Sequence, residues 1–199
     1  AHAGRELVPT TLELGGNGPM VVRADAPLGR TITGAVKGGF ASAGQLCIAT
    51  ERIYVHESKY DAFCDRLVER VRDLDLGTDF SYATDVGSLI SEHHLEKVQS
   101  HVDEAVDAGA TLLTGGRHRP DIGPYVYEPT VLTDVPDETS IACEETFGPV
   151  VAVTPVSDDE EAIARANEGP YGLHGSVWTG DPSTGRDVAR RVDCGTVCV

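Results

Sequence analysis

The residue best suited to covalent chemistry is Cys47, which lies in a loop that begins with the small residues Ala41-Ser42-Ala43-Gly44 and continues as Gln45-Leu46-Cys47. A thiolate attacks carbon readily when its pKa is lowered or when a base lies nearby. Small neighbours leave room for a substrate to reach the sulfur. The loop therefore predicts a nucleophilic cysteine, although a lone cysteine is more often a buried apolar side chain.

Two acidic motifs could complete such a site. Leu12-Glu13-Leu14-Gly15-Gly16 predicts a short strand that ends at paired glycines, which would place Glu13 near a strand end as a base for water or for the thiol. In Glu145-Thr146-Phe147-Gly148-Pro149, Glu145 could accept hydrogen bonds from a ribose diol and Phe147 could pack against a flat ring. Taken alone, each motif is more typical of a solvated glutamate or of an acidic turn before a buried strand.

The elements that must position these residues alternate between strand and helix from Met20 onward. This alternation predicts an α/β fold, with a mostly parallel twisted sheet and helices on both faces. Helices are expected over 28–40, from a cap at Ser58 to a stop at Gly77, and over 91–108, 158–167 and 181–192. Strands are expected over 20–22, 52–55, 111–114, 130–135, 150–156, 174–179 and 196–199.

The helix predicted over 91–108 contains three histidines that could suggest a metal site. Its inward stripe is predicted to consist of Leu95, Val98, Val102, Ala105 and Val106. None of His93, His94 and His101 falls on that stripe, and adjacent histidines point to different faces of a helix. No metal site is therefore predicted.

Bulk composition excludes several classes of partner. The net charge of −16 argues against nucleic acid and anionic membranes, and no apolar run is long enough to span a bilayer. The five cysteines lack metal-ligand spacing and are too few for a disulfide framework, so we expect a reducing, cytoplasmic setting. The acidic surface suits either strong salt or simply a GC-rich genome.

Together, the three motifs resemble the aldehyde dehydrogenase superfamily. They occur in that family's order, and the gap of 34 positions between Glu13 and Cys47 (47 − 13) is the one the family uses. The closest resemblance is to succinate-semialdehyde dehydrogenases, through Leu46-Cys47-Ile48, the following Glu51-Arg52-Ile53-Tyr54-Val55, and Asp121-Ile122-Gly123-Pro124. Asn17 departs from the lysine that many relatives carry there.

The resemblance implies a mechanism and a set of partners. Cys47 would be the nucleophile that forms a thiohemiacetal and then a thioester, and Glu13 would activate water. Glu145, Phe147 and Leu14 would contact NAD or NADP. The substrate would be a small aldehyde, with succinate semialdehyde suggested, and the parent enzyme would be a homo-oligomer.

One departure from the family concerns the cofactor. The pairs Gly15-Gly16, Gly38-Gly39 and Gly115-Gly116 do not form a phosphate-binding glycine motif. Compared with the family it resembles, the sequence of residues 1–199 is expected to be the catalytic, thiol-bearing domain of a longer enzyme, without its cofactor-binding half and C-terminal oligomerisation segment. Alone it would be weakly active or inactive. Two alternatives stay open: a cofactor-independent thiol esterase and a non-catalytic folding or assembly module.

Overall fold

The computed structural model describes residues 2–79 and 82–199, so Ala1 of the predicted 1–199 unit lies outside the described residues. The helices are α1 His2–Arg5, α2 Leu28–Phe40, α3 Glu57–Arg72, α4 Glu92–Asp107, α5 Ser140–Cys143, α6 Asp159–Ala166 and α7 Pro182–Ala189. The strands are β1 Gly18–Val22, β2 Thr50–His56, β3 Thr111–Thr114, β4 Thr130–Thr133, β5 Val150–Val156, β6 His174–Trp178 and β7 Thr196–Cys198. Across these described ranges, every helix is too short or too polar to cross a membrane.

The seven strands form one sheet in the order β3-β4-β5-β2-β1-β6-β7. Every neighbouring pair is parallel except β3 and β4, which are antiparallel. Helices connect most of the parallel neighbours, as such crossovers require. The predicted α/β class, with its mostly parallel sheet, is confirmed.

Helices cover both faces of the sheet because successive side chains of a buried strand point in opposite directions. On β1, Met20 and Val22 join the larger core, to which α2, α3 and α4 contribute. The intervening Val21 joins a second core against α6 and α7. The near-continuous apolar character of β1 is therefore explained by burial on two sides.

Helix α2 has the predicted bounds, Leu28–Phe40, whereas α3 differs from its prediction at both ends. The N-cap of α3 is His56 rather than Ser58, because the His56 ring accepts the Ser58 N–H at 3.2 Å. The helix ends at Arg72, before the predicted stop at Gly77. The prediction of a Ser58 cap was therefore wrong.

The inward face of α4 also differs from its prediction. Leu95, Val98, Val102 and Ala105 are buried as expected, whereas Val106 is 40% exposed. His101 is only 7% exposed and thus lies on the stripe from which it was excluded. Its Nδ1 is 3.2 Å from Thr146 Oγ1, so a polar partner across the core makes this burial tolerable.

The segment before β1 is not the predicted strand. Residues 11–17 form no strand, and β1 begins at Gly18. Leu12 and Leu14 are 71% and 77% exposed, so these alternating residues lie outside the core formed by the described part of the chain. Alternation predicts a strand only where a neighbouring strand or a core is present to receive it.

The topology brings the three sequence motifs to one edge of the sheet. Strands β5, β2 and β1 are consecutive and parallel, so their amino-terminal ends lie together. Glu13 precedes β1, Cys47 precedes β2, and Glu145 precedes β5. The candidate site therefore lies at the amino edge of the sheet, opposite to the carboxyl edge used by many open α/β proteins.

Candidate active site

Direct contacts join the three motifs at this edge. The Gly16 N–H donates to Glu145 Oε1 at 2.8 Å. A Cβ at Gly16 would overlap the carbonyl oxygen of Cys47, and a Cβ at Gly44 would overlap the carbonyl oxygen of Gly148. The Cys47 segment thus meets each of the other two segments backbone to backbone, and the Glu13 segment meets the Glu145 segment through the Glu145 carboxylate. The glycines make this close approach feasible.

The loop that presents Cys47 is strained. Ser42, Ala43 and Gly44 have φ of 53°, 56° and 69°, a run of left-handed residues directly after α2. Each non-glycine residue in that region costs about 1–2 kcal/mol. Such strain persists where the surroundings impose it, and it is concentrated at functional sites.

Gln45 fixes this loop to the segment before α4. Its Nε2 donates to the carbonyl oxygens of Ser42 and Ser88, both at 3.2 Å. Its Oε1 accepts the Ile90 N–H at 2.9 Å. The side chain adjacent to Leu46-Cys47 is therefore part of the scaffold, which limits how far the thiol can move.

Cys47 is half-buried and its thiol is free. Among the hydrogen bonds of residues 2–79 and 82–199, none uses the backbone N–H of Cys47. A free N–H beside a nucleophile can stabilise an oxygen that becomes negatively charged during the reaction. The burial predicted for an ordinary structural cysteine is found instead at Cys64, where it raises the pKa of the thiol to about 11.

Glu13 is exposed, and its carboxylate has no hydrogen bond in the described part of the chain. It lies three residues before Gly16, so its Cα is at most about 11 Å from that of Gly16. Gly16 in turn contacts the Cys47 carbonyl. The structure thus brings the Glu13 segment to the cysteine but does not hold the carboxylate in one position.

The turn that carries Glu145 is held much more firmly. Its backbone N–H donates to Tyr171 Oη at 3.2 Å, and Lys97 Nζ donates to its carbonyl oxygen at 2.7 Å. His94 donates its Nε2–H to the Phe147 carbonyl oxygen at 2.6 Å. Phe147 has φ of 55°, and its ring meets the His94 ring edge-on at 5.9 Å.

Glu51 completes the restraint of this turn. Its two carboxylate oxygens accept the N–H groups of Thr146 and Phe147, each at 2.8 Å. Glu51 is 3% exposed, and this burial raises the pKa of its carboxyl to about 7. A charged residue this deep in a protein is retained only when it is well bonded.

Sequence reasoning missed Glu51, Lys97, His94 and Tyr171 as parts of the site. One signal was available for Glu51, because it is a charged residue in the predicted segment around the strand 52–55, which contains Ile53 and Val55 and is buried. Lys97 is one of three lysines in the chain. Neither pattern indicates which loop the side chain would contact.

The residues present fit the nicotinamide–ribose end of a dinucleotide. Glu145 and Phe147 are both partly exposed on one turn, where a carboxylate and a flat ring are accessible together. The Leu14 side chain is 77% exposed and belongs to the segment that reaches Glu145 through Gly16. Gly15 adjoins Glu145 Oε2, and a Cβ there would fill the space beside that oxygen.

Comparisons with known proteins identify the family of this chain. The aldehyde dehydrogenase family model matches residues 1–199. A protein of Mycobacterium tuberculosis H37Rv, named as a candidate NADP(+) succinate-semialdehyde dehydrogenase, is 48% identical over 100% of this chain and 38% of its own length. Betaine aldehyde dehydrogenase of Brucella ovis is 43% identical over 98% of this chain and 41% of its own length.

Solved structures of aldehyde dehydrogenases contain the same fold as this chain. Betaine aldehyde dehydrogenase of Staphylococcus aureus in complex with NAD+ matches with a TM-score of 0.92 and 38% identity, over 98% of this chain and 39% of that one. A variant of aldehyde dehydrogenase from Bacillus cereus matches with a TM-score of 0.92 and 39% identity, over 98% and 40%. The chain thus spans well under half the length of these relatives. On its sequence, its fold and the convergence of its three motifs, the chain belongs to the aldehyde dehydrogenase family.

Proposed function

We propose that the chain is the thiol-bearing part of a longer aldehyde dehydrogenase that oxidises an aldehyde to its carboxylic acid with NAD or NADP. One observation carries this proposal. The Cys47 carbonyl adjoins Gly16, and the N–H of Gly16 is bonded to the Glu145 carboxylate. The nucleophile Cys47, the segment that carries Glu13 and the turn that would bind the cofactor therefore lie together at one edge of the sheet.

The proposed chemistry begins at Cys47. Its thiolate attacks the aldehyde carbon, and the free Cys47 N–H stabilises the oxyanion of the resulting thiohemiacetal. The bound nicotinamide supplies the acceptor for the hydride that leaves this carbon. Cys47 then carries a thioester. Glu13 takes a proton from water, the resulting hydroxide attacks the thioester, and the acid departs as the thiolate is restored.

The proposed cofactor contacts are Glu145 and Phe147, with Leu14 on the adjoining segment. Glu145 would accept hydrogen bonds from the ribose hydroxyls, and the Phe147 ring would pack against the nicotinamide. We propose either NAD or NADP, because the mycobacterial relative is named for NADP(+) and the staphylococcal structure holds NAD+. Succinate semialdehyde is the proposed substrate, and similarity to that mycobacterial protein supports it.

We also propose that these residues work inside a larger, homo-oligomeric, cytoplasmic enzyme and have little activity by themselves. Leu7, Val8, Leu12 and Leu14 are between 56% and 90% exposed, all within the segment that carries Glu13. A run of exposed apolar side chains is typical of a surface that another part of a protein covers. The relatives have the additional length to provide such a cover.

The test is aldehyde-dependent formation of NADH or NADPH by the longer enzyme and by its Cys47→Ser variant. We expect Cys47→Ser to reduce turnover at least about 10³-fold, because the covalent step is lost. Cys143→Ser is the matched control, since Cys143 is exposed and lies on α5 rather than in the cysteine loop. Full activity of Cys47→Ser would contradict the proposal. Cofactor-independent hydrolysis of an activated ester that is lost in Cys47→Ser would instead support a thiol esterase.

A further inference from the structure

We propose that Glu51 is the positioning residue of the cofactor turn 145–147, and that it makes the affinity for the dinucleotide depend on pH near neutrality. This inference rests on the proposed function, since it assumes that Glu145 and Phe147 contact the cofactor. Glu51 itself lies behind the turn and would act through these two residues.

Glu51 holds two consecutive backbone N–H groups of the turn 145–147 with one carboxylate, an arrangement that we call the clamp. Glu51 is the second residue of β2, four positions after Cys47, and its backbone is fixed in the centre of the sheet between β5 and β1. From there its two carboxylate oxygens each accept one backbone N–H, from Thr146 and from Phe147, at 2.8 Å. One side chain thus links the strand after the nucleophile to the turn before β5.

This clamp acts at the part of the turn that is strained. Phe147 has a left-handed φ of 55°, which a non-glycine residue adopts only when its surroundings impose it. The other restraints act on Glu145, on the Thr146 hydroxyl or on the Phe147 carbonyl oxygen, and they come from Tyr171, Lys97, His101 and His94. Among the described residues, only Glu51 bonds to the N–H groups of Thr146 and Phe147, so its loss would leave these two donors without partners.

The charges around Glu51 keep its ionisation near neutral pH. Burial raises the pKa of its carboxyl to about 7, and the nearby Glu145 carboxylate acts in the same direction. The two N–H groups and the Lys97 ammonium from α4 act in the opposite direction. Other titratable side chains also contact the turn. The His94 and His101 rings on α4 contact the Phe147 carbonyl oxygen and the Thr146 hydroxyl, and the Tyr171 hydroxyl oxygen accepts the Glu145 N–H.

Protonation would open half of the clamp. The carboxylate accepts two N–H bonds, whereas in the carboxylic acid one oxygen carries a proton and becomes a donor. One of the two turn amides then loses its acceptor, and the positions of Glu145 and Phe147 become less fixed. Affinity for the dinucleotide should therefore fall as the pH decreases through about 7.

The test compares the longer enzyme with its Glu51→Gln variant, which keeps the shape of the side chain but replaces one acceptor with a donor. Glu57→Gln is the matched control, because Glu57 is exposed at the start of α3 and undergoes the same change of charge. Two quantities are measured at pH 6 and pH 8: the Kd for NAD+ or NADP+ by calorimetry, and hydrogen–deuterium exchange of a peptide covering 145–149.

At pH 8 we expect Glu51→Gln to raise the dinucleotide Kd about tenfold and to speed exchange of the 145–149 peptide by a similar factor, as for loss of a hydrogen bond to a charged group. At pH 6 both differences from wild type should shrink. The Kd of the wild type should rise from pH 8 to pH 6, and that of Glu51→Gln should stay nearly flat. Glu57→Gln should follow the wild type.

The inference is overturned if Glu51→Gln matches the wild type at pH 8 in Kd and in exchange, or if both proteins have the same pH profile. Faster exchange with an unchanged Kd would show that Glu51 only supports the fold, which also contradicts the proposed role. Absence of dinucleotide binding by the wild type would overturn the proposed function together with this inference. Wild-type binding with an unaffected variant would overturn this inference alone.

Discussion

The segment that carries Glu13 and the turn that carries Glu145 precede strands of the same sheet edge, yet they are held very differently. Glu145 is bonded through its N–H, its carbonyl oxygen and its carboxylate, and Glu51 holds the two residues that follow it. Glu13 is exposed and without a hydrogen bond in the described part of the chain. The proposed cofactor side is thus preformed, whereas the proposed water-activating side is not.

The difference follows from burial. The turn at Glu145 packs beneath α4 and against β2, where each backbone N–H and C=O needs a partner because water cannot supply one. The segment at Glu13 lies in solvent, where water satisfies these groups without fixing them. Function in the first region should therefore be coupled to stability, and function in the second should not.

The largest expected effect is the loss of turnover when the Glu13 carboxylate is removed. Glu13→Gln should reduce turnover of the longer enzyme by about 10²–10⁴-fold, the usual contribution of a general base. A burst of reduced cofactor should remain, because the thioester still forms. The free energy of unfolding should change by less than about 0.5 kcal/mol, since the side chain is exposed. Glu6→Gln is the control, and unchanged turnover in Glu13→Gln would remove Glu13 from the mechanism.

The next effect is on stability where the cysteine loop meets the Glu145 turn. Gly44→Ala should destabilise the protein by about 2–4 kcal/mol, because φ is positive and the new Cβ would overlap the Gly148 carbonyl oxygen. Denaturant unfolding measures this change. Gly29→Ala in α2 meets nothing within 4 Å and should stabilise by up to about 1 kcal/mol. Equal effects of the two substitutions would show that the contact is not tight.

A third effect is the pH dependence of the free energy of unfolding that we expect from Glu51, behind the Glu145 turn. Burial disfavours the charged carboxylate of Glu51 and raises its pKa to about 7 from 4.5. The global stability that this shift provides is complete below about pH 4.5 and is lost as the pH rises through 7, although the local order of the turn 145–147 depends on the carboxylate form. The free energy of unfolding of the wild type, minus that of Glu51→Gln, should decrease by roughly 1–3 kcal/mol between pH 5 and pH 8.5. A pH-independent difference at Glu51 would contradict its burial as a titrating group.

The smallest effect compares two threonines. Thr146 is 1% exposed, and its Oγ1 lies 3.2 Å from His101 Nδ1. Thr146→Val should cost about 1 kcal/mol in the free energy of unfolding, the typical contribution of one hydrogen bond. Thr10→Val, in the exposed segment, should cost nothing measurable by the same unfolding experiment. A cost at Thr10 as large as that at Thr146 would mean that the two regions do not differ.

Some parts of the fold could be predicted from local patterns. The helical stripe of α2 gave its bounds, Leu28–Phe40, and the alternation of elements gave the parallel sheet. Local patterns failed where a particular side-chain contact decided the outcome. The N-cap of α3 is His56 rather than Ser58 because the His56 ring accepts the Ser58 N–H. His101 rather than Val106 lies on the buried face of α4, where Thr146 is its polar partner.

Motif order and spacing were sufficient to identify the family and to nominate Cys47, Glu13 and Glu145, because residue types and chain separation are properties of the sequence itself. Tertiary structure alone decided that the Glu145 turn is clamped by Glu51 while Glu13 stays in solvent. The reason is that hydrogen bonds between residues about a hundred positions apart, such as Glu51 to Phe147 with a separation of 96, exist only once β2 and β5 are paired in the sheet.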